Sequence, residues 1–217
     1  MVLLEAVLEV EDVARVRREL EGAHWRDGRL TAGAAARAVK ANLQAAPMEG
    51  LATFVREALT SHPMFEIAAR PRRITRPMFS RYEPGMTYGE HTDDALMGEG
   101  EARLRTDLAF TLFLADPDSY EGGALRIAGP SGDTAIKLKA GDAVLYGAGT
   151  IHAVEPVTAG VRLAAVGWVQ SAVRDAAQRE ALFDLSVTRA RLAGAAREDL
   201  LRLDKTISNL LRMWAEV

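Results

Sequence analysis

The sequence predicts an α+β protein in which a middle of many short strands is flanked by N-terminal helices and a C-terminal helical tail. Three observations carry this. Apolar residues recur at helical spacing near both ends. Residues 72–170 break into short β-rich runs, each bounded by turn residues. The 217-residue chain is 48% hydrophobic and 26% charged, ordinary composition for one sizeable core. Strands so short and closely spaced suit a sandwich, a barrel or a jelly roll.

In chain order, residues 11–25 read as a helix with Val13, Val16 and Leu20 on one stripe. Residues 25–33 are turn-rich. Residues 34–44 are ambiguous, because their alanines favour a helix of only marginal length. Residues 48–62 read as a second helix, ended by Pro63. The β-like runs follow at 72–82, 106–115, 123–128, 134–147, 150–157 and 161–170. They are separated by EPG, DPDSYEGG, GPSGD, AGD, GAG and TAG. From about residue 173 the pattern is helical again, with Gly194 between two helices. Leu200, Leu203, Ile207, Leu210 and Trp214 form a stripe expected to pack on the protein's own β-core. A homodimer through the C-terminal helices is the alternative. The chain thus divides into residues 1–172, with a motif core at 78–172, and a helical extension at 173–217.

Composition excludes several function classes. A formal net charge of −3 gives no general attraction to nucleic acid or anionic membrane. With no cysteines, disulfides and thiolate metal sites are ruled out, so a metal must be held by His, Asp or Glu. No run of about 18 uncharged apolar residues indicates a membrane span. Glu5, Glu9, Glu11 and Asp12 interrupt the N-terminal apolar residues, unlike a signal peptide. A cytoplasmic protein is the expectation.

The stretch YGEHTDD (88–94) places His91 and Asp93 at i and i+2, among only four histidines. On a strand both side chains face one side and converge on a metal or on water. His152 follows a Gly-rich turn in a distant strand, and a jelly roll brings distant strands to one end. Two histidines and one carboxylate form the facial triad that binds ferrous iron and leaves three positions open. His24, placed late in a helix, and His62, at a helix end, lack such a partner and read as capping or half-buried groups. Arg162 shares strand parity with Ala164, Val166 and Trp168, and with only a turn between them His152 and Arg162 should lie on neighbouring antiparallel strands. Burying it among such neighbours needs an anion, which a bound dicarboxylate supplies; otherwise it faces solvent.

Tyr82, Gly85, Tyr88, His91 and Asp93, followed by His152 and Arg162, resemble the motif of the prolyl-4-hydroxylase-type Fe(II)/2-oxoglutarate dioxygenases. More narrowly, the chain is similar to the PKHD-type hydroxylases over nearly its whole length. The resemblance implies a double-stranded β-helix (jelly-roll) core, with residues 1–172 as the dioxygenase domain. It implies that His91, Asp93 and His152 hold Fe(II). It implies that Arg162 grips the far carboxylate of 2-oxoglutarate, with Tyr82 as hydroxyl donor and Tyr88 a weaker candidate. L-Ascorbate is implied as reductant. The implied reaction hydroxylates an unactivated C–H of a small-molecule or peptidyl substrate, a prolyl or lysyl side chain or an iron-related small molecule, with a link to iron homeostasis. The competing reading is a cupin-like metal-binding protein without 2-oxoglutarate turnover: an iron sensor, isomerase or hydrolase. Lys40 and Asn42 are candidates for the substrate entrance, Trp168 for core near the site, Arg105–Asp107 for a solvated loop pair, and Gly122–Gly123 for a turn.

Overall fold

The structure is a computed structural model describing residues 1–192 and 194–216, excepting the side chains of residues 34, 35 and 101. Strand β1 (Val2–Leu4) precedes helix α1 (Val10–Glu21), which buries Val13, Val16 and Leu20 and turns its charges outward. β2 (Trp25–Asp27), the short helix α2 (Ala34–Arg37), β3 (Lys40–Ala41) and β4 (Leu43–Ala45) follow. Helix α3 (Glu49–Ser61) buries Leu51, Ala52, Val55 and Leu59. Pro63 does not open the strand region. It is the first residue of helix α4 (Pro63–Ala69), where its missing N–H and fixed φ suit a helix start.

The run at 72–82 splits into β5 (Pro71–Ile74) and β6 (Met78–Tyr82). Then come β7 (Thr87–His91), β8 (Leu96–Met97), β9 (Leu104–Arg105) and β10 (Leu108–Phe113). β11 (Tyr120–Gly122), β12 (Leu125–Ile127), β13 (Thr134–Ile136) and β14 (Ala143–Gly147) lead to β15 (His152–Val154), β16 (Val157–Gly160) and β17 (Arg162–Ser171). Helices α5 (Ala176–Arg191) and α6 (Arg197–Trp214) close the chain.

The strands form the jelly roll. A large sheet runs β1-β14-β10-β17-β6-β4-β2, with β5 also on β17, and a five-stranded sheet runs β13-β12-β15-β7-β3. Every residue of β10 is buried, because both faces of the large sheet are covered. Leu108, Phe110 and Leu112 pack under the helices with Val16, Val55 and Phe65. Ala109 and Phe113, one residue out of phase, pack between the sheets with Leu125, Val144 and Val154. Truncating Phe110, which is 1% exposed, would cost about 3–5 kcal/mol.

Residues 40–45 bridge the two sheets at one edge. Lys40 pairs with Tyr88 of the small sheet, and Gln44 with Ser80 of the large one. The ambiguous alanine-rich segment is therefore one short helix followed by two minimal strands, too short to show periodicity. At the other end of the chain, α6 packs against α5, and α5 against α4. The stripe from Leu200 to Trp214 thus lies on a helix and not on the β-core, and its members are only half-buried. The chain end is tied back by Glu216 N–H donating to Ala172 O at 2.7 Å.

Candidate active site

β7 ends at His91, which pairs with His152 of β15; the two rings lie 4.3 Å apart. Each ring is oriented by its own chain. His91 Nδ1 is 2.8 Å from Gly89 O, and His152 Nδ1 is 2.9 Å from Thr150 O. A carbonyl only accepts, so each Nδ1 carries a hydrogen and each ring turns its Nε2 toward the cavity. Burial holds His91 down at about 4, so its ring is neutral near pH 7. Tyr88 stacks on it, with centroids 3.6 Å apart.

Asp93 lies just beyond β7, not on it, so simple strand alternation does not place it. Its backbone N–H donates to Ala148 O at 3.3 Å and swings the carboxylate toward His152. Asp93 Oδ2 stands 3.8 Å from His152 Nε2, buried and without a hydrogen-bond partner. Burial pushes this carboxyl above its ordinary range, with His152 pulling the other way. Ligand atoms from His91, Asp93 and His152 all lie within 4.8 Å of one another. An orphaned buried carboxylate oxygen beside two imidazole Nε2 atoms fits a divalent first-row metal.

Arg162 is not on a strand next to that of His152. It opens β17 of the large sheet, while β15 belongs to the small one. The turn between them changes sheets, and β16 pairs instead with β11. The two side chains meet because the sheets face each other across one cavity, which both line. Arg162 is 1% exposed, and its guanidinium lies 5.1 Å over Tyr82 and 5.4 Å over Phe113. Its Nε has no partner, and no carboxylate among the described residues pairs with it. A buried guanidinium in that state is costly unless an anion arrives. Tyr82 sits directly opposite Arg162 in the register and is buried, which raises its phenol pKa and keeps the hydroxyl protonated.

The bridging segment forms the remaining wall. Asn42 is 4% exposed, and neither atom of its amide has a partner. Gln44 accepts from the Thr31 hydroxyl. The Lys40 amine lies 4.9 Å over the Tyr88 ring and 3.3 Å from Thr31 Oγ1, and burial lowers it to about 8. Trp168 also lines the cavity, half-buried. The other two histidines lie elsewhere. His24 is exposed in the loop after α1, which ends earlier than the apolar spacing suggests, and His62 Nε2 meets Glu5 O at 3.0 Å. Arg105 and Asp107 are not a solvated loop pair. They form a partly buried ion pair with two hydrogen bonds, of 2.6 and 3.0 Å, in which Asp107 also accepts from Ser171 N–H and Arg105 also donates to Glu216.

Sequence reasoning missed Gly123. At φ +63 it approaches so closely that a Cβ would lie 3.2 Å from Arg162 Cδ and 2.9 Å from Val157 Cγ2. Paired glycines are a signal for such close approach, not for a turn alone.

A double-stranded β-helix with two imidazoles, a carboxylate and a buried arginine around one cavity defines the iron- and 2-oxoglutarate-dependent oxygenase class. The family model described as the 2OG-Fe(II) oxygenase superfamily matches residues 77–170. The chain is 47% identical to a PKHD-type hydroxylase of Synechococcus elongatus, covering 100% of both chains. It is 50% identical to one of Maricaulis maris, covering 100% of this chain and 99% of the relative. The chain belongs to the PKHD-type hydroxylase family and is a 2-oxoglutarate-dependent dioxygenase, which decides against the metal-binding protein without 2-oxoglutarate turnover. Fe(II) and 2-oxoglutarate are the cofactor and cosubstrate expected of this family. Among solved structures the fold is similar to a prolyl hydroxylase in complex with a hypoxia inducible factor peptide fragment from Trichoplax adhaerens. That match has a TM-score of 0.60 and 15% identity, covering 78% of this chain and 83% of the other. A Pseudomonas putida prolyl-4-hydroxylase gives a TM-score of 0.54 at 19% identity, covering 78% and 91%. No helix among the described residues is long and apolar enough to cross a membrane.

Proposed function

We propose that His91, Asp93 and His152 hold the Fe(II), that Arg162 and Tyr82 hold the far carboxylate of 2-oxoglutarate, and that the enzyme hydroxylates an unactivated C–H of a substrate lodged against Lys40 and Asn42. One observation carries this: three ligand atoms within 4.8 Å share a cavity with a buried guanidinium that has no carboxylate of its own. Iron and 2-oxoglutarate, when bound, would supply the oxidising chemistry, with 2-oxoglutarate consumed to succinate and CO2 as O2 is reduced. The protein's residues position and insulate. Gly89 O and Thr150 O fix the imidazole tautomers so that both Nε2 atoms face inward. Asp93 would supply the negative charge that imidazole ligands do not carry. Arg162 offers a planar fork matched to a carboxylate, and Tyr82 a protonated hydroxyl beside it. Tyr88, stacked on His91, shields that ring from water.

The finer reading rests on the family resemblance. It takes the substrate as a prolyl or lysyl side chain, or an iron-related small molecule, with ascorbate as reductant and a role in iron homeostasis. Residues 1–172 are read as the catalytic unit and 173–217 as an extension. The half-covered stripe of α6 supports a homodimer through that extension. The test is succinate formation by purified protein given Fe(II), 2-oxoglutarate, O2 and ascorbate, with candidate prolyl and lysyl peptides and without them. Iron-dependent succinate, abolished in His91→Ala, is expected. No iron-dependent succinate under any of these conditions overturns the reading.

A further inference from the structure

Beside Arg162 lies a second buried polar group that the roles above leave unused. Tyr120, on β11, is 3% exposed, and its hydroxyl is buried with no hydrogen-bond partner. An unpaired phenol in such a place costs on the order of 1–3 kcal/mol. Burial raises its pKa and keeps it protonated, while the Arg162 charge and a guanidinium N–H directed at the phenol oxygen pull the other way, so that it is the phenol hydrogen that lacks an acceptor. Arg162 Nε is likewise buried and unpaired. Two donors side by side, neither with an acceptor, point to an acceptor from outside the chain.

The surroundings hold the ring in place. Lys137 Nζ donates to Tyr120 O at 2.8 Å and lies 4.0 Å over the Tyr120 ring, fixing backbone and ring together. Two left-handed glycines make room. A Cβ on Gly160 (φ +71) would fall 2.8 Å from Tyr120 Cα, and one on Gly123 (φ +63) 3.1 Å from Tyr120 Cε2. The same Gly123 lets the Arg162 stem close in, so one backbone feature sets both groups. Pairing of Tyr120 with Gly160 places the tyrosine beside the strand that leads directly into Arg162.

We infer that Tyr120 is a second cosubstrate-binding residue, donating its hydroxyl hydrogen to the same far carboxylate that Arg162 grips. The inference rests on the assignment of that carboxylate to Arg162. A carboxylate has about four acceptor sites, so a guanidinium fork and a phenol can share it. Phenol-to-carboxylate bonds are charge-assisted and gain strength where water is excluded.

The test is anaerobic equilibrium binding to the Fe(II)-loaded protein. Two ligands are compared: 2-oxoglutarate, and 2-oxopentanoate, which keeps the 2-oxo acid end but carries a methyl in place of the far carboxylate. Tyr120→Phe keeps the ring, its packing and the Lys137 contact. It should weaken 2-oxoglutarate binding about tenfold and leave 2-oxopentanoate and Fe(II) binding unchanged. The same loss should recur in an Arg162→Lys background, because the hydroxyl contacts the ligand itself. Unchanged 2-oxoglutarate affinity in Tyr120→Phe, an equal loss for both ligands, or no further loss in Arg162→Lys overturns the inference. If the wild type does not prefer 2-oxoglutarate over 2-oxopentanoate, the assignment of Arg162 falls as well.

Discussion

The two sheets face one cavity but build their sides of it by different means. On the small sheet, each imidazole is oriented by a carbonyl two residues earlier in its own strand region, and His91 and His152 are direct register partners. That side is ordered by local contacts. On the large sheet, Arg162 sits opposite Tyr82 through long-range pairing, and its charge has no carboxylate among the described residues. The small sheet is ready for a ligand, whereas the large sheet stores an unmet electrostatic demand. A ligand should therefore gain most from the large sheet, and the ligand-free protein should be least stable there.

Mutations can break this contrast, from the largest expected effect to the smallest. Asp93→Ala should lower Fe(II) affinity by about 100-fold or more, as loss of the only charged ligand would. The melting temperature of the metal-free protein should not fall, since burial is the largest influence on the Asp93 carboxyl and disfavours its charge. Equilibrium dialysis and thermal unfolding measure the two. Arg162→Met should weaken 2-oxoglutarate binding about 100-fold, near 3 kcal/mol. The same change should stabilise the ligand-free protein by roughly 1–3 kcal/mol, because an unpaired buried charge is removed. Denaturant titration with and without 2-oxoglutarate shows both signs. Gly123→Ala should destabilise by about 1–3 kcal/mol, from positive φ and crowding of the Arg162 stem.

Lys40→Met should give the smallest change, and one that depends on pH. Burial lowers the folded-state value of Lys40 to about 8 from an ordinary 10.5. The unfolded chain thus binds more protons between those values, so wild-type stability rises with pH across that window. Removing the amine should stabilise at pH 7 by on the order of 1–2 kcal/mol, with the gain shrinking as pH climbs from 8 toward 10.5. Unfolding curves at several pH values check it. A gain that grows with pH contradicts the burial argument.

How much was legible in the sequence follows the same division. The H-x-D spacing and the later His152 stand out because the small sheet's chemistry is local, and local chemistry is written in short strings. The helical ends and short-strand middle are legible from periodicity. Helix α4 was missed because a proline stops one helix and starts another with the same letter. The placement of Arg162 was half legible. Its burial follows from its apolar neighbours, but its sheet does not, because the turn before it crosses from one sheet to the other. Gln44 and Tyr120 owe their positions to strands of three residues, whose pairing leaves no periodic trace.

The most direct measurement is an anaerobic titration of the metal-free protein, first with Fe(II) and then with 2-oxoglutarate, following the weak visible absorption of the iron chelate. One equivalent of each per chain should bind, with the band absent in His152→Ala and shifted to far higher 2-oxoglutarate concentration in Arg162→Met. Iron bound equally well without His152, or a band indifferent to Arg162, would contradict the assignment of the two sides.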